Sequence, residues 1–196
     1  MQKGWLSMPK QAVAVRIRPL AKKDLFRLVR WNSDPEVESL VGLGLPCDLA
    51  GCFAWWEETR RKANTRLFAL EDEKGQLIGD LELAHICWRG REAELRIRIG
   101  EKEFWNRGYG TSALKQIKRY AFDVLGLDRL YLRVYTFNTR AIHCYQKLGF
   151  KKEAILRRPQ DRDWKDIYLM TVENTTGKKE GRHKVFLPKA GNGKTV

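Results

Sequence analysis

The segment Phe104-Trp105-Asn106-Arg107-Gly108-Tyr109-Gly110-Thr111 has the residue types and spacing best suited to holding a charged ligand. Two glycines one residue apart let the backbone turn with successive N–H groups pointing the same way. The helix predicted to begin there adds the partial positive charge of its N-terminus. Such a turn cradles phosphate. A tight strand-to-helix turn needs the same glycines on steric grounds, so the neighbouring cations decide: Arg107, and Lys102 a few positions earlier, supply counter-charge for a diphosphate. The segment lacks the Lys-Ser/Thr ending of nucleoside-triphosphate loops and the three-glycine dinucleotide pattern, which points to a phosphorylated ligand of another kind. Cys47, Cys52, Cys87 and Cys144 show neither Cys-x-x-Cys nor a companion His at zinc spacing. Reduced thiols and no metal are therefore expected.

The hydrophobic period predicts the elements that must position this loop. Residues 12–20 alternate as a first strand, and 24–31 place Leu25, Leu28 and Val29 on one helical face until Asn32-Ser33-Asp34-Pro35 stops them. A second helix over 48–62 carries Phe53, Trp55 and Trp56. The apolar, glycine-punctuated stretch 40–46 between the two helices is either a lid or a buried connection. Strands 65–71 and 77–87 form a hairpin around Asp72-Glu73-Lys74-Gly75. Strand 92–99 alternates Leu95, Ile97 and Ile99 with Glu94, Arg96 and Arg98, which gives the sheet a polar face. The strongest helix, 110–125, repeats Ala113, Leu114, Ile117 and Ala121 at three- and four-residue spacing and ends at Gly126. A strand at 130–135, a helix at 139–148 closed by Gly149, and strands at 151–157 and 164–172 complete the order βααβββαβαββ. That is an α/β (α+β mixed sheet) class with helices on both faces.

The 196 residues are enough for one domain with its own core. The net charge of +14 favours polyanionic partners, whether nucleic acid or a ligand with several phosphates. The tail 174–196 holds six basic residues against Glu180 alone and is read as a flexible appendage to a single domain spanning 1–173. No apolar run reaches the ~18 residues of a membrane span, and the N-terminus lacks a signal-peptide core, so a cytoplasmic protein without membrane contact is expected.

Asn138-Thr139-Arg140-Ala141-Ile142-His143-Cys144-Tyr145-Gln146-Lys147-Leu148-Gly149-Phe150, taken with the preceding strand and the glycine loop, closely resembles the GNAT superfamily of acetyl-CoA-dependent N-acetyltransferases. The resemblance runs from about Val15 to Val172. Its nearest branch includes ribosomal-protein N-terminal and spermidine acetyltransferases, because Trp105 stands where many relatives have Gln or Arg. The resemblance implies a mostly antiparallel sheet splayed between its fourth and fifth strands, with acetyl-CoA as co-substrate. It implies that the pantetheine arm pairs with the backbone of Ile97 and Ile99, and that a backbone N–H near Ile99 polarises the thioester. The diphosphate falls to the N–H groups of Asn106, Arg107, Gly108, Tyr109, Gly110 and Thr111. It also implies that Asn138 bonds the pantetheine amide and that Tyr145 protonates the departing thiolate.

The attacking amine must be neutral, although an alkyl amine has a pKa of about 10 and an N-terminal amine about 8. Glu82 and Glu94 are the candidate bases, Glu82 first because its apolar neighbours raise a carboxylate's pKa. His85 reads as a core histidine, and His143 faces away from Tyr145. Many N-terminal acetyltransferases have a Glu where this chain has Arg133, which favours an acceptor bearing negative charge. The expected acceptor is a small-molecule amine or a peptide N-terminus, and the resembled branch implies a homodimer. The competing reading is a basic nucleic-acid- or ribosome-associated module that keeps the fold, with its contact through the tail.

Overall fold

A computed structural model describes residues 13–157 and 166–175. Strand β1 (Arg16–Pro19) leads to three helices, α1 (Leu25–Asn32), α2 (Pro35–Val41) and α3 (Leu49–Arg60). A meander follows: β2 (Arg66–Glu71), β3 (Leu77–Cys87) and β4 (Glu92–Ile99). Helix α4 (Tyr109–Arg119), strand β5 (Arg129–Tyr135), helix α5 (Thr139–Lys147), and strands β6 (Lys151–Leu156) and β7 (Ile167–Glu173) complete the chain. The seven strands form one sheet in the order β1-β2-β3-β4-β5-β7-β6.

The expected order gains one helix. Asp34-Pro35 does stop α1, but the same dipeptide starts α2: Asp34 accepts from the N–H groups of Glu36 and Val37, and Pro35 occupies the first helical position. Gly42 ends α2 at φ +57°, and a Cβ there would overlap the Tyr135 hydroxyl at the end of β5. Only the remainder of the expected apolar loop, 42–46, is non-helical.

Every strand pair is antiparallel except β4 with β5, which run parallel and meet only at Glu92–Arg129, Ala93–Leu130 and Glu94–Tyr131. Beyond Glu94 the two strands part. Side chains alternate between two cores across the sheet. In β2, Phe68 and Leu70 face the cluster built by α4 and α5, while Leu67 and Ala69 face α1, α2 and α3. Ala113, Leu114, Ile117 and Ala121 of the long helix all enter the first cluster. Among the described residues no helix is long and apolar enough to cross a membrane.

The polar face of β4 departs from expectation in one respect: Glu94 and Arg98 are both only 2% exposed, Arg98 against Asn32 and Trp31 of α1 and Glu94 among Arg96, Arg133 and His85. Arg98 donates through Nε to Asp80 Oδ1 at 2.7 Å and through Nη1 to Asn32 Oδ1 at 2.5 Å, with its guanidinium over the Trp31 ring. Removing one partner of a buried pair leaves the other charge without compensation. Asp80→Ala is therefore expected to destabilise the fold by about 3 kcal/mol, seen as a lower urea midpoint at unchanged slope. A midpoint equal to wild type would show that Asn32 and Trp31 suffice to hold Arg98.

Candidate active site

The parting of β4 from β5 opens a cleft of about 820 Å³, large enough for a sizeable ligand. Along β4 the backbone groups alternate between edges. Gly100 N–H bonds Ile78 O on the β3 side at 2.9 Å, so the groups of Ile97 and Ile99 turn toward the open side. The Ile99 carbonyl there accepts from Trp105 Nε1 at 2.7 Å. Past Trp105 the chain enters left-handed backbone twice, at Asn106 (φ +59°) and Gly108 (φ +94°), and Gly108 caps α4. The first intrahelical donor is Ser112 N–H, to Gly108 O. The N–H groups of Tyr109, Gly110 and Thr111 are the orphan donors of a helix start, arrayed for an anion.

Of the residues singled out in the sequence, Glu94, Ile97, Ile99, Asn106, Arg107, Gly108, Gly110, Thr111, Asn138 and Tyr145 line this one cleft. Tyr109 turns its side chain into the core instead, edge-on to Phe104, with its hydroxyl donating to Glu73 at 3.0 Å; only its backbone faces the loop. Asn138 caps α5 by accepting from Ala141 N–H at 3.2 Å, and it donates to Leu40 O at 3.3 Å. Its side chain thereby ties α2 to α5 across the opening. Lys102 is outside the cleft, paired with Asp34 and Glu36 at 2.9 and 2.6 Å.

Tyr145 is 8% exposed, and its hydroxyl hydrogen-bonds no described residue. Burial pushes its phenol pKa upward, so the proton stays on at neutral pH. Cys144 beside it contacts Thr111 Oγ1 at 3.1 Å, and burial raises its thiol, which keeps it inert as a nucleophile.

The two carboxylates differ sharply. Glu94 accepts from Arg96, from two nitrogens of Arg133 and from His85, each within 2.7–2.9 Å. Burial alone would raise its pKa, but the Arg96 and Arg133 hydrogen bonds outweigh it and hold the carboxyl below its ordinary value. Glu82 lies outside the main cleft, in a neighbouring cavity of about 40 Å³ that shares Leu43, Arg96 and Ile97 with it. Burial dominates there and pushes Glu82 up, against a single Arg96 contact at 3.2 Å.

His85 is not a core residue: it sits in left-handed backbone (φ +50°) where the β3–β4 register shifts, with 60% of its side chain exposed. His143 does line the cleft. Trp55 lines the small cavity, whereas Trp56 packs in the α1–α3 core and bonds Leu20 O at 3.3 Å. The turn 158–165 and the tail from 176 onward, with the nucleic-acid contact read into the tail, lie outside the described residues.

Residues 14–151 match the family model described as an acetyltransferase (GNAT) domain. The chain belongs to the GNAT acetyltransferase family. This GNAT protein is 33% identical over 154 residues to the spermidine N(1)-acetyltransferase of Escherichia coli K12, covering 74% of this chain and 77% of that one. Its match to the Vibrio cholerae spermidine N(1)-acetyltransferase is 35% over 91 residues, 46% of this chain and about half (52%) of that relative's length. A crystal structure of the Vibrio cholerae enzyme in complex with CoA and spermine superposes with a TM-score of 0.75 at 25% identity, covering 81% of this chain and 95% of that one. This GNAT chain is thus an N-acetyltransferase with acetyl-CoA as co-substrate, on a mixed α/β sheet. The site fits that co-substrate: an open strand edge for an extended amide-bearing arm, and orphan helix donors for a diphosphate. Arg96 and Arg140 are among the cleft residues to which the sequence reading gave no role. For Arg140 a signal was present, since no acidic residue stands three or four positions away to pair with it.

Proposed function

We propose that the chain transfers the acetyl group directly to the neutral amine of a small-molecule acceptor or a peptide N-terminus, in a ternary complex without an acyl-enzyme. What supports this most is a pair of groups in two neighbouring cavities that share Leu43, Arg96 and Ile97. The buried, protonated Tyr145 phenol lines the larger, and the Glu82 carboxylate of raised basicity lines the smaller. The amine nitrogen bonds the thioester carbonyl carbon while Glu82 accepts its proton. The carbon–sulfur bond then breaks, and Tyr145 donates its proton to the departing thiolate, to be reprotonated from solvent. Glu94, ionised and held by two guanidiniums, orients Arg96 and Arg133 rather than taking a proton.

The relatives named above act on spermidine, and a polyamine is accordingly the first acceptor to offer. Asp80, Glu82 and Glu94 are each matched by an arginine, so the site balances its own charge and a single terminal amine suffices for it. Peptide N-termini form the second arm of the test. Thiol release from acetyl-CoA is measured against spermidine, spermine and short peptides, and at least one primary amine is expected to be turned over well above background hydrolysis. No amine-dependent release by protein that binds acetyl-CoA would sink the proposal.

Glu82 gives the reaction a pH signature. Its carboxyl is raised above the ordinary value and must be ionised to act, so kcat/KM climbs as pH passes through that pKa, and again as the amine deprotonates. Glu82→Gln is expected to erase the lower limb and reduce kcat/KM by about 10²-fold, leaving the amine limb between about pH 8 and 10. A profile of unchanged shape with less than twofold loss would make Glu82 merely the partner of Arg96.

A further inference from the structure

The cations suggested by sequence as partners for a diphosphate are engaged elsewhere. Lys102 pairs with Asp34 and Glu36, while Arg107 lies over the Phe104 and Tyr109 rings and donates to Glu103 O at 3.3 Å. Among the other cleft guanidiniums, Arg96 and Arg133 are held by Glu94, and Arg98 by Asp80. One remains that has no hydrogen bond or ion pair to any described residue: Arg140, in the first turn of α5. Lys147, the other unpaired cleft cation, stands exposed two turns along the same helix.

Arg140 is nevertheless fixed in place. Its guanidinium carbon lies 4.0 Å from the centroid of the Trp105 ring, and that ring is pinned by its N–H to Ile99 O. Stacking occupies the face of the guanidinium and leaves its N–H edges free to donate in the plane, the geometry that takes two phosphate oxygens together. Burial pulls its pKa below the ordinary arginine value, with Glu36 the only carboxylate acting against this, and that carboxylate already pairs with Lys102. A partly desolvated cation without a counter-ion is unfavourable, and a bound anion relieves it.

We propose that Arg140, stacked on Trp105, is the side chain that grips the diphosphate of acetyl-CoA, opposite the N–H groups of the 106–111 loop. Trp105 immediately precedes that loop, and Trp105, the loop and Arg140 line the same cleft. Trp105 is thereby a positioning residue: one ring sets both the Arg140 fork and the end of the strand edge at Ile99.

The test is calorimetric titration of the full chain with CoA and with dephospho-CoA, which lacks only the 3′-phosphate. Arg140→Gln is expected to weaken CoA binding about tenfold, and dephospho-CoA binding by the same factor. Arg140→Lys keeps the charge without the fork and is expected to recover part of the loss, and Trp105→Leu to weaken both ligands severalfold with Arg140 intact. Equal affinity of wild type and Arg140→Gln for CoA overturns the proposal. A loss seen with CoA but absent with dephospho-CoA also overturns it, by moving Arg140 to the 3′-phosphate. Failure of the wild type to bind CoA removes the diphosphate altogether, and with it both this proposal and the co-substrate reading.

Discussion

Tyr145→Phe is expected to lower kcat by about 10²-fold while leaving the affinity for acetyl-CoA within about twofold of wild type. The ring packs against Phe150, with centroids 5.9 Å apart, and the phenylalanine keeps that contact; only the hydroxyl is lost. Because no described residue hydrogen-bonds that hydroxyl, its removal leaves no protein partner stranded, and the melting temperature should barely move. The upward shift of the phenol fixes the sign of its role: at neutral pH it holds its proton and acts as an acid, not as a base. A thiolate leaving without that acid must depart as the unprotonated anion, a poorer leaving group, which is where the rate is lost. An unchanged kcat would return Tyr145 to the rank of a core aromatic.

The second large effect belongs to Gly108. At φ +94° the position is left-handed, and a Cβ there would meet only Val13 Cγ2 at 3.9 Å, so conformation and not space demands the glycine. Gly108→Ala carries the backbone strain alone, about 1–2 kcal/mol. Gly108→Asp adds a negative charge at the start of α4, where the orphan N–H groups converge. Aspartate carries the same backbone strain as alanine, and its charge repels a diphosphate. Calorimetry is expected to give acetyl-CoA affinity about tenfold weaker for the alanine variant and no measurable binding for the aspartate variant. Equal losses in the two would show that strain, not charge, governs the loop.

Much of the fold was legible because it rests on periodicity. The two-residue alternation of β4 and the three- and four-residue spacing of α4 are local patterns; β4 forms at the predicted residues, while the predicted helix is α-helical over Tyr109–Arg119 and continues as a π-helical turn over Tyr120–Val124. Helix α2 was harder to read, since seven residues opening on Asp34-Pro35 look like the end of one helix as readily as the start of another. The burial of Glu94 and Arg98 was invisible for a different reason: a polar face reads as solvated unless one knows that α1 lies over Arg98 and that Arg133 of β5 reaches Glu94. At the cleft, residue types pointed to the glycine loop and to Tyr145, but not to where charges end up. Lys102 and Arg140 are both basic residues near the loop, and only the paths of α2 and α5 decide that one meets carboxylates and the other an indole.

The meeting of β4 and β5 over only three residue pairs also bears on how the protein assembles. The four strands from β1 to β4 pair antiparallel in chain order, and β5, β6 and β7 pair antiparallel among themselves. Between these two halves the backbone ladder is a short parallel seam of three residue pairs. The cleft lies along the unzipped continuation of that seam. A co-substrate that bonds the free edge of β4 on one side and α5 on the other acts as a suture across it, with affinity only for the joined state. At a concentration of a hundred times its Kd a ligand so placed would add about 2.7 kcal/mol to the folded state, so the melting temperature is expected to rise with the concentration of donor.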